Sequence, residues 1–241
     1  NHVYSSAAAG DELFVASRTN LAVLSPRSMG AYEPPKVSGA TSSSAYLSNT
    51  PKSYFTDVPL CNIPDGAEFV CVDVLLPERI IAVAVRSICA LPGTIVKDSS
   101  FALHIYGCMS PPKSSWARIA TDCQIIPLGF TPFCMQHVPV SFLAAGEAES
   151  NNARSAGFHR SKCNNGDNRC EPENMILVSG SDGVVHAYRR HPHASTYIEI
   201  AASDAVLPEL AHSKGEIVVS MDMHHTKQDR WLAMGCQSGL L

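Results

Sequence analysis

Hydrophobic residues recur in short runs along the chain, and each run is closed by small or polar turn residues. In Asn174–Arg190, NMILVSGSDGVVHAYRR, the run Met175–Val178 meets Ser-Gly, then the turn Ser181-Asp182-Gly183, then a second run over Val184–Tyr188. Two β-rich runs joined at Asp-Gly predict a hairpin, because glycine takes a positive φ without steric cost. The same phrase recurs at ELFVASRTNLAVL, with the turn Arg18-Thr19-Asn20. It recurs again at RWLAMGCQSGLL, with the turn Gln237-Ser238-Gly239. A fourth copy is split, with RIIAVAVRS (Arg79–Ser87) followed after an insertion by FALHIYG (Phe101–Gly107). A repeated hairpin with a small-residue turn predicts an all-β, β-propeller-like fold of divergent WD40-type blades.

Further strands are expected around these hairpins. Val3-Tyr4 predicts an incoming strand, Ser53–Val58 a short outer strand and Ala67–Leu76 an inner one. The patterns also predict strands over His137–Ala144, Tyr197–Ala201 and Glu216–Met223, with a weak one returning over Trp116–Ile126. Lys97–Ser100 and His224–Asp229 read as turns, and Asp204–Leu210 as a connector. Residues 25–53 and 147–173 are rich in Ser, Gly, Asn and Pro and predict flexible insertions. No repeat carries a Trp-Asp or Gly-His signature, and the hairpins lie further apart than the about 40–50 residues of common propeller repeats. Residues 1–241 then hold about three blades and the start of a fourth, a partial ring that stops inside a strand. Asn1 and Leu241 both have the look of truncated ends.

Composition narrows the functional classes. The chain has 241 residues, 45% hydrophobic and 17% charged, with a net charge of −4. Such a balance fits a globular protein and argues against a general nucleic-acid binder or a polybasic membrane anchor. No apolar run approaches the ~20 residues of a membrane helix. Nine cysteines without regular spacing fit free thiols in a reducing cytosol.

Candidate chemistry is sparse. No phosphate-binding glycine loop, metalloprotease helix or Gly-x-Ser-x-Gly elbow is present. The nearest to an elbow is Ser179–Gly183, where strand follows strand and Ser181 is not placed as a nucleophile. His159, Cys163, Cys170 and Cys134 could be metal ligands, but Cys-x6-Cys lacks the short knuckle that structural zinc prefers. His191, His193, His224 and His225 fall at expected strand ends, as surface turn residues. Arg189-Arg190 and Arg160 with Lys162 are short basic spots, read as solvated faces that could meet acidic actin or a phospholipid head group. Asp73 and Asp222 occupy the same place in two blades, Val-Asp-Val and Met-Asp-Met. They either brace neighbouring blades through backbone hydrogen bonds or meet in a channel as a metal site. Gly183 and Gly239 are expected to supply turn φ values, and Gly180 and Gly235 to permit close packing. Phe130, Phe133, Trp231 and Tyr188 are expected mostly in the core. Thus no catalytic, cofactor-binding or metal residue is assigned.

Three stretches together resemble the kaptin family: IPLGFTPFCMQHVPV (Ile126–Val140), ILVSGSDGVVHAY (Ile176–Tyr188) and RWLAMGCQSGLL (Arg230–Leu241). DAVLPEL and the opening NHVY fit as well. The resemblance spans roughly 1–24 and 54–241 and would correspond to the N-terminal portion of such a protein. It implies a non-catalytic scaffold in a KICSTOR-type complex, which holds the GATOR complex on lysosomes and restrains the TOR kinase when nutrients are low. Partners implied are other subunits, including a second propeller protein, and actin filaments, with a cytoplasmic place on the lysosomal surface or the actin cytoskeleton. Two alternatives stand beside it, an actin-filament-binding protein of cell protrusions and a propeller enzyme with a channel metal site.

Overall fold

The computed structural model describes residues 3, 5–24, 55–75, 79–90, 97–107, 121–139, 174–191, 194–200, 216–225 and 230–239. The expected insertions at 25–53 and 147–173 and the connector at 204–210 lie outside these. So do His159, Arg160, Lys162, Cys163, Cys170 and His193.

The described residues form β-strands and no helix. In chain order, β1 (Ser5–Ala9), β2 (Glu12–Ala16), β3 (Leu21–Leu24) and β4 (Phe55–Val58) make a first sheet. β5 (Glu68–Leu75), β6 (Ile80–Ala90), β7 (Lys97–Tyr106) and β8 (Cys123–Leu128) make a second. β9 (Pro132–Pro139), β10 (Asn174–Gly180), β11 (Val185–Arg190) and β12 (Tyr197–Glu199) make a third. β13 (Val218–His225) and β14 (Arg230–Cys236) pair as a fourth. Every pairing is antiparallel between successive strands. Each sheet is therefore an up-and-down ribbon, as a propeller blade is.

The sheets stack by their first strands: β5 packs against both β1 and β9, and β13 packs against β9. Three hydrophobic cores fill the three gaps. This explains the unbroken apolar run in β6. Ile81, Val83 and Val85 point into the core shared with the first sheet, while Ile80, Ala82 and Ala84 point into the core shared with the third. The strand alternation of period two thus serves two different cores, and no position is left for a polar residue. β10 does the same, with Ile176 and Val178 on one side and Met175 and Leu177 on the other.

Each of β5, β9 and β13 carries a bulge near its start. In β5, Phe69 pairs with Val85 and Cys71 with Ala84, so Val70 is extra. In β13, Val218 pairs with Cys236 and Ser220 with Gly235, so Val219 is extra. β9 shifts between its partners Gly180 and Val178. An extra residue resets which side chains face which way and sharpens the local twist. That is why Phe69, Val72 and Val74 all reach the first gap although they do not alternate strictly.

Several boundaries differ from the sequence pattern. β1 lies over SSAAA, after the expected Val3, while Tyr4 lies outside the described residues; the small side chains of β1 let the first sheet approach the second closely. β9 starts at Pro132, five residues before the expected His137. Lys97–Ser100 is not a turn but pairs with Ala90–Ser87, extending the ladder where polar residues are tolerated. His224 and His225 pair with Trp231 and Arg230, so they belong to a strand as well. Phe130 and Tyr188 are buried as expected, but Phe133 and Trp231 are exposed.

At Gly183 φ is 74° and at Gly239 it is 82°, both left-handed. The two turns close alike, Gly183 N–H donating to Gly180 O and Gly239 N–H to Cys236 O. Gly180, immediately before its turn, and Gly235, two residues before its own, differ in what surrounds them. A Cβ on Gly180 would come within 2.7 Å of the buried Phe130 ring and would also strike the Asp182 carboxylate; one on Gly235 would meet only the Ser220 hydroxyl, at 2.6 Å. A hydroxyl rotates away and a buried ring does not. Gly180→Ala should therefore lower unfolding free energy by about 1–3 kcal/mol, the cost of overpacking. Gly235→Ala should cost under about 1 kcal/mol, and Gly183→Val about 1–3 kcal/mol from backbone strain. Urea titration of the three variants measures the order; equal costs for Gly180→Ala and Gly235→Ala would contradict it.

Candidate functional site: the channel between the inner strands

β1, β5, β9 and β13 line one cavity of about 480 Å³. Strands present backbone N–H groups on both edges, and the inner edge of each first strand has no further strand to pair with. Neighbouring sheets supply the missing acceptors. Val72 N–H donates to Ser5 Oγ at 3.2 Å, joining the second sheet to the first. His137 N–H donates to Asp73 Oδ2, and His137 Nδ1 lies 2.8 Å from the same oxygen, joining the third to the second. Asp73 Oδ1 takes its own neighbour's N–H, from Val74, at 2.8 Å. Cys134 Sγ lies 3.8 Å from Val218 O, and Cys134 N–H donates to Ser179 Oγ at 3.2 Å.

Asp73 is thus a buried carboxylate with three donors on two oxygens, and His137 is only 3% exposed. A carboxylate accepts only, so Nδ1 carries the imidazole proton. Of the two readings the sequence left open for this residue, the bracing geometry is what the structure holds. Asp222 lines the same cavity but is exposed. Among the described residues no group of three or more His, Cys, Asp or Glu could hold a metal.

Neither described channel thiol is activated as a nucleophile. Burial pushes the Cys71 thiol well above its ordinary range, with Cys134 and Asp73 adding to the rise. Burial also raises Cys134, against a smaller lowering by the Ser179 hydroxyl. Both line the channel as protonated thiols at neutral pH. Ser181 sits on the β10–β11 turn, where its Oγ accepts the Thr131 N–H at 3.1 Å and its own N–H donates to Thr131 O at 2.9 Å.

One constellation escaped the sequence pattern. His186 lies between two carboxylates, with Nε2 2.9 Å from Asp182 Oδ2 and Nδ1 2.7 Å from Glu199 Oε1. Its ring stacks on Phe130 at 3.8 Å between centroids. The Asp182–His186 spacing across an Asp-Gly hairpin was the available signal; Glu199, on another strand, had none. On the rim, the Gln124 amide clasps Tyr197 like a strand, donating to its carbonyl at 2.8 Å and accepting its N–H at 2.6 Å. Arg18 donates both Nε and a terminal nitrogen to Glu68, tying the first sheet to the second. Arg189 and Arg190, the expected solvated basic spot, are half-buried on β11 and have partners. The channel can hold sheets together; nothing in its described lining pairs a nucleophile with a base.

Residues 158–241 match the family model described as KPTN, KICSTOR complex protein kaptin. No curated protein and no solved structure matches the chain. The matched part contains two of the three stretches that resemble kaptin, the hairpin over Ile176–Tyr188 and RWLAMGCQSGLL; Ile126–Val140 lies outside it.

Asp73→Ala should destabilise the fold by about 3–5 kcal/mol, the cost of breaking a buried charge-assisted cluster, while Asp222→Ala should stay within about 0.5 kcal/mol. Chemical denaturation of both variants provides the comparison, and a similar cost for the two would contradict the bracing role. A second expectation concerns His104, which burial holds below its ordinary pKa. Its neutral form stabilises the fold fully above the unfolded value of about 6.5. That contribution is lost as pH falls through 6.5 toward the lower folded value. The stability gap between wild type and His104→Leu should therefore shift in favour of the variant as pH falls from 7 to 5. A gap constant over that range would refute it.

Proposed function

We propose that this kaptin-like chain is a non-catalytic scaffold subunit of a KICSTOR-type complex. The observation that carries the reading is the match of residues 158–241 to a family described as a KICSTOR complex protein. The channel agrees with it: Asp73 is committed to bracing the third sheet and the lining thiols are held protonated. Rigid sheets locked along their inner strands hold loops and rim surfaces at fixed positions, which is what a multi-partner scaffold needs. In this reading the chain helps recruit the GATOR complex to the lysosomal surface and so restrains TOR signalling at low nutrient. Its partners are the other KICSTOR-type subunits, a second propeller protein among them.

The matched description names a complex and not a filament, so actin binding in cell protrusions stands second. Affinity purification of the tagged protein from nutrient-starved cells, followed by partner identification, separates the two. KICSTOR-type subunits and GATOR components should co-purify. Pelleting with actin filaments in the absence of any such subunit would overturn the proposal.

A further inference from the structure

The cluster at the β10–β11 turn asks for more protons than a neutral histidine has. His186 presents Nε2 to Asp182 Oδ2 at 2.9 Å and Nδ1 to Glu199 Oε1 at 2.7 Å. A carboxylate only accepts, and a neutral imidazole has one N–H and one lone pair. Both contacts therefore exist together only when both ring nitrogens carry hydrogen, as in the imidazolium. Phe130 suits the same state. It is buried, and the imidazole lies flat on its ring, 3.8 Å between centroids and 11° between planes. An aromatic face attracts a cation.

Among the described residues, Asp182 approaches this ring from the turn and Glu199 from β12. β10 sets the uncharged Val178 opposite His186, and the link between β8 and β9 supplies Phe130. Tyr188 is next on the same face of β11, directly across the ladder from Glu199. Burial raises its phenol well above the ordinary value, with Glu199 and Asp182 adding to the rise, so it stays neutral. Arg190, the following side chain on that face, is about 13 Å of strand away from His186. When one proton leaves the imidazolium, one carboxylate meets a lone pair and withdraws. The ring is pinned on Phe130, and Asp182 is held by its own turn, its Oδ1 accepting the Val184 N–H at 3.2 Å. Glu199 is the more exposed carboxylate, 51% against 41%, and it stands on the three-residue β12.

We propose that His186 is a proton-operated latch: doubly protonated, it ties β12 through Glu199 to the β10–β11 turn, and on losing a proton it releases Glu199 and loosens the outer edge of the third sheet. That edge carries Ile198 and, just beyond β12, Ile200, both exposed apolar side chains. Histidine ordinarily changes charge between about pH 5 and 8. The latch is closed at the acid end of that range and open at the alkaline end. The inference rests on the geometry of the third sheet and is independent of the complex membership proposed above.

Hydrogen exchange of the Ile200 N–H, which donates to Ala187 O at 3.0 Å just past Glu199, reads the edge. Nitrogen-15 NMR of the His186 ring counts its protons in the same samples. Protection, the ratio of intrinsic to observed exchange rate, should fall about two- to fivefold from about pH 5.5 to 8, in step with loss of one ring proton. Glu199→Gln should keep its protection across that range, because its amide can donate to a bare Nδ1 and its carbonyl can accept from a protonated one. Glu199→Ala should stay at the low, alkaline level throughout. Circular dichroism melts verify that both variants are folded. Protonation of His104 acts in the opposite sense and is common to all three proteins, so it cancels in the comparison. Protection of Ile200 that does not change with pH in the wild type would overturn the proposal. So would a fall of the same size in Glu199→Gln. Loss of protection at the Val184 N–H with Ile200 unchanged would overturn it too, because Asp182 would then be the carboxylate released.

Discussion

A middle strand of this protein serves two cores at once. Side chains of β6 alternate between the gap toward the first sheet and the gap toward the third, and all of Ile80–Val85 are buried. Neither gap can be dry unless both neighbouring sheets are in place. Stability is therefore shared between successive sheets rather than held within any one of them, and a two-stranded or four-stranded ribbon alone would expose one full apolar face. The stacking of sheets follows from this need more than from any local preference for strand.

Hydrophobic burial is non-directional and does not set how far one sheet slides along the next. The inner-strand hydrogen bonds do. Asp73 reaches the N–H and imidazole of His137 on the neighbouring sheet, and Ser5 reaches the N–H of Val72. Each bond also removes an unpaired backbone donor from the channel wall, where a buried donor without a partner costs about 1–3 kcal/mol. On the rim, Gln124 on Tyr197 and Arg18 on Glu68 fix the same offset a second time. A channel built this way has spent its buried carboxylate, Asp73, on geometry. That is the physical argument behind the proposed positioning role, alongside the match of residues 158–241 to the kaptin family model.

The equivalence of the second and fourth sheets extends from register to bulge to the aspartate. Where the third sheet covers the second, Asp73 is buried and multiply bonded; on the fourth, which no further described sheet covers, Asp222 and Trp231 are exposed. The same local sequence logic thus gives a buried brace at Asp73 and an exposed carboxylate at Asp222, and the difference lies in whether a described sheet packs against it.

The sequence by itself determined the hairpins, their glycine turns and the all-β class, because turn chemistry and apolar runs act over a few residues. It also marked Asp73 and Asp222 as equivalent and placed Phe130 and Tyr188 inside. Tertiary structure decided the rest. β1 was hidden in SSAAA, whose small residues have little strand preference and gain it only by allowing close approach of the next sheet. Lys97–Ser100 has turn-like composition, yet ladder bonds to Ser87–Ala90 hold it extended. The pairing of Asp73 with His137 and of His186 with Asp182 and Glu199 depends on which sheets and strands become neighbours, and no window along the chain contains that information. Whether Trp231 is core or surface likewise follows from what stands against its sheet, a property of the assembled sheets and not of the residue.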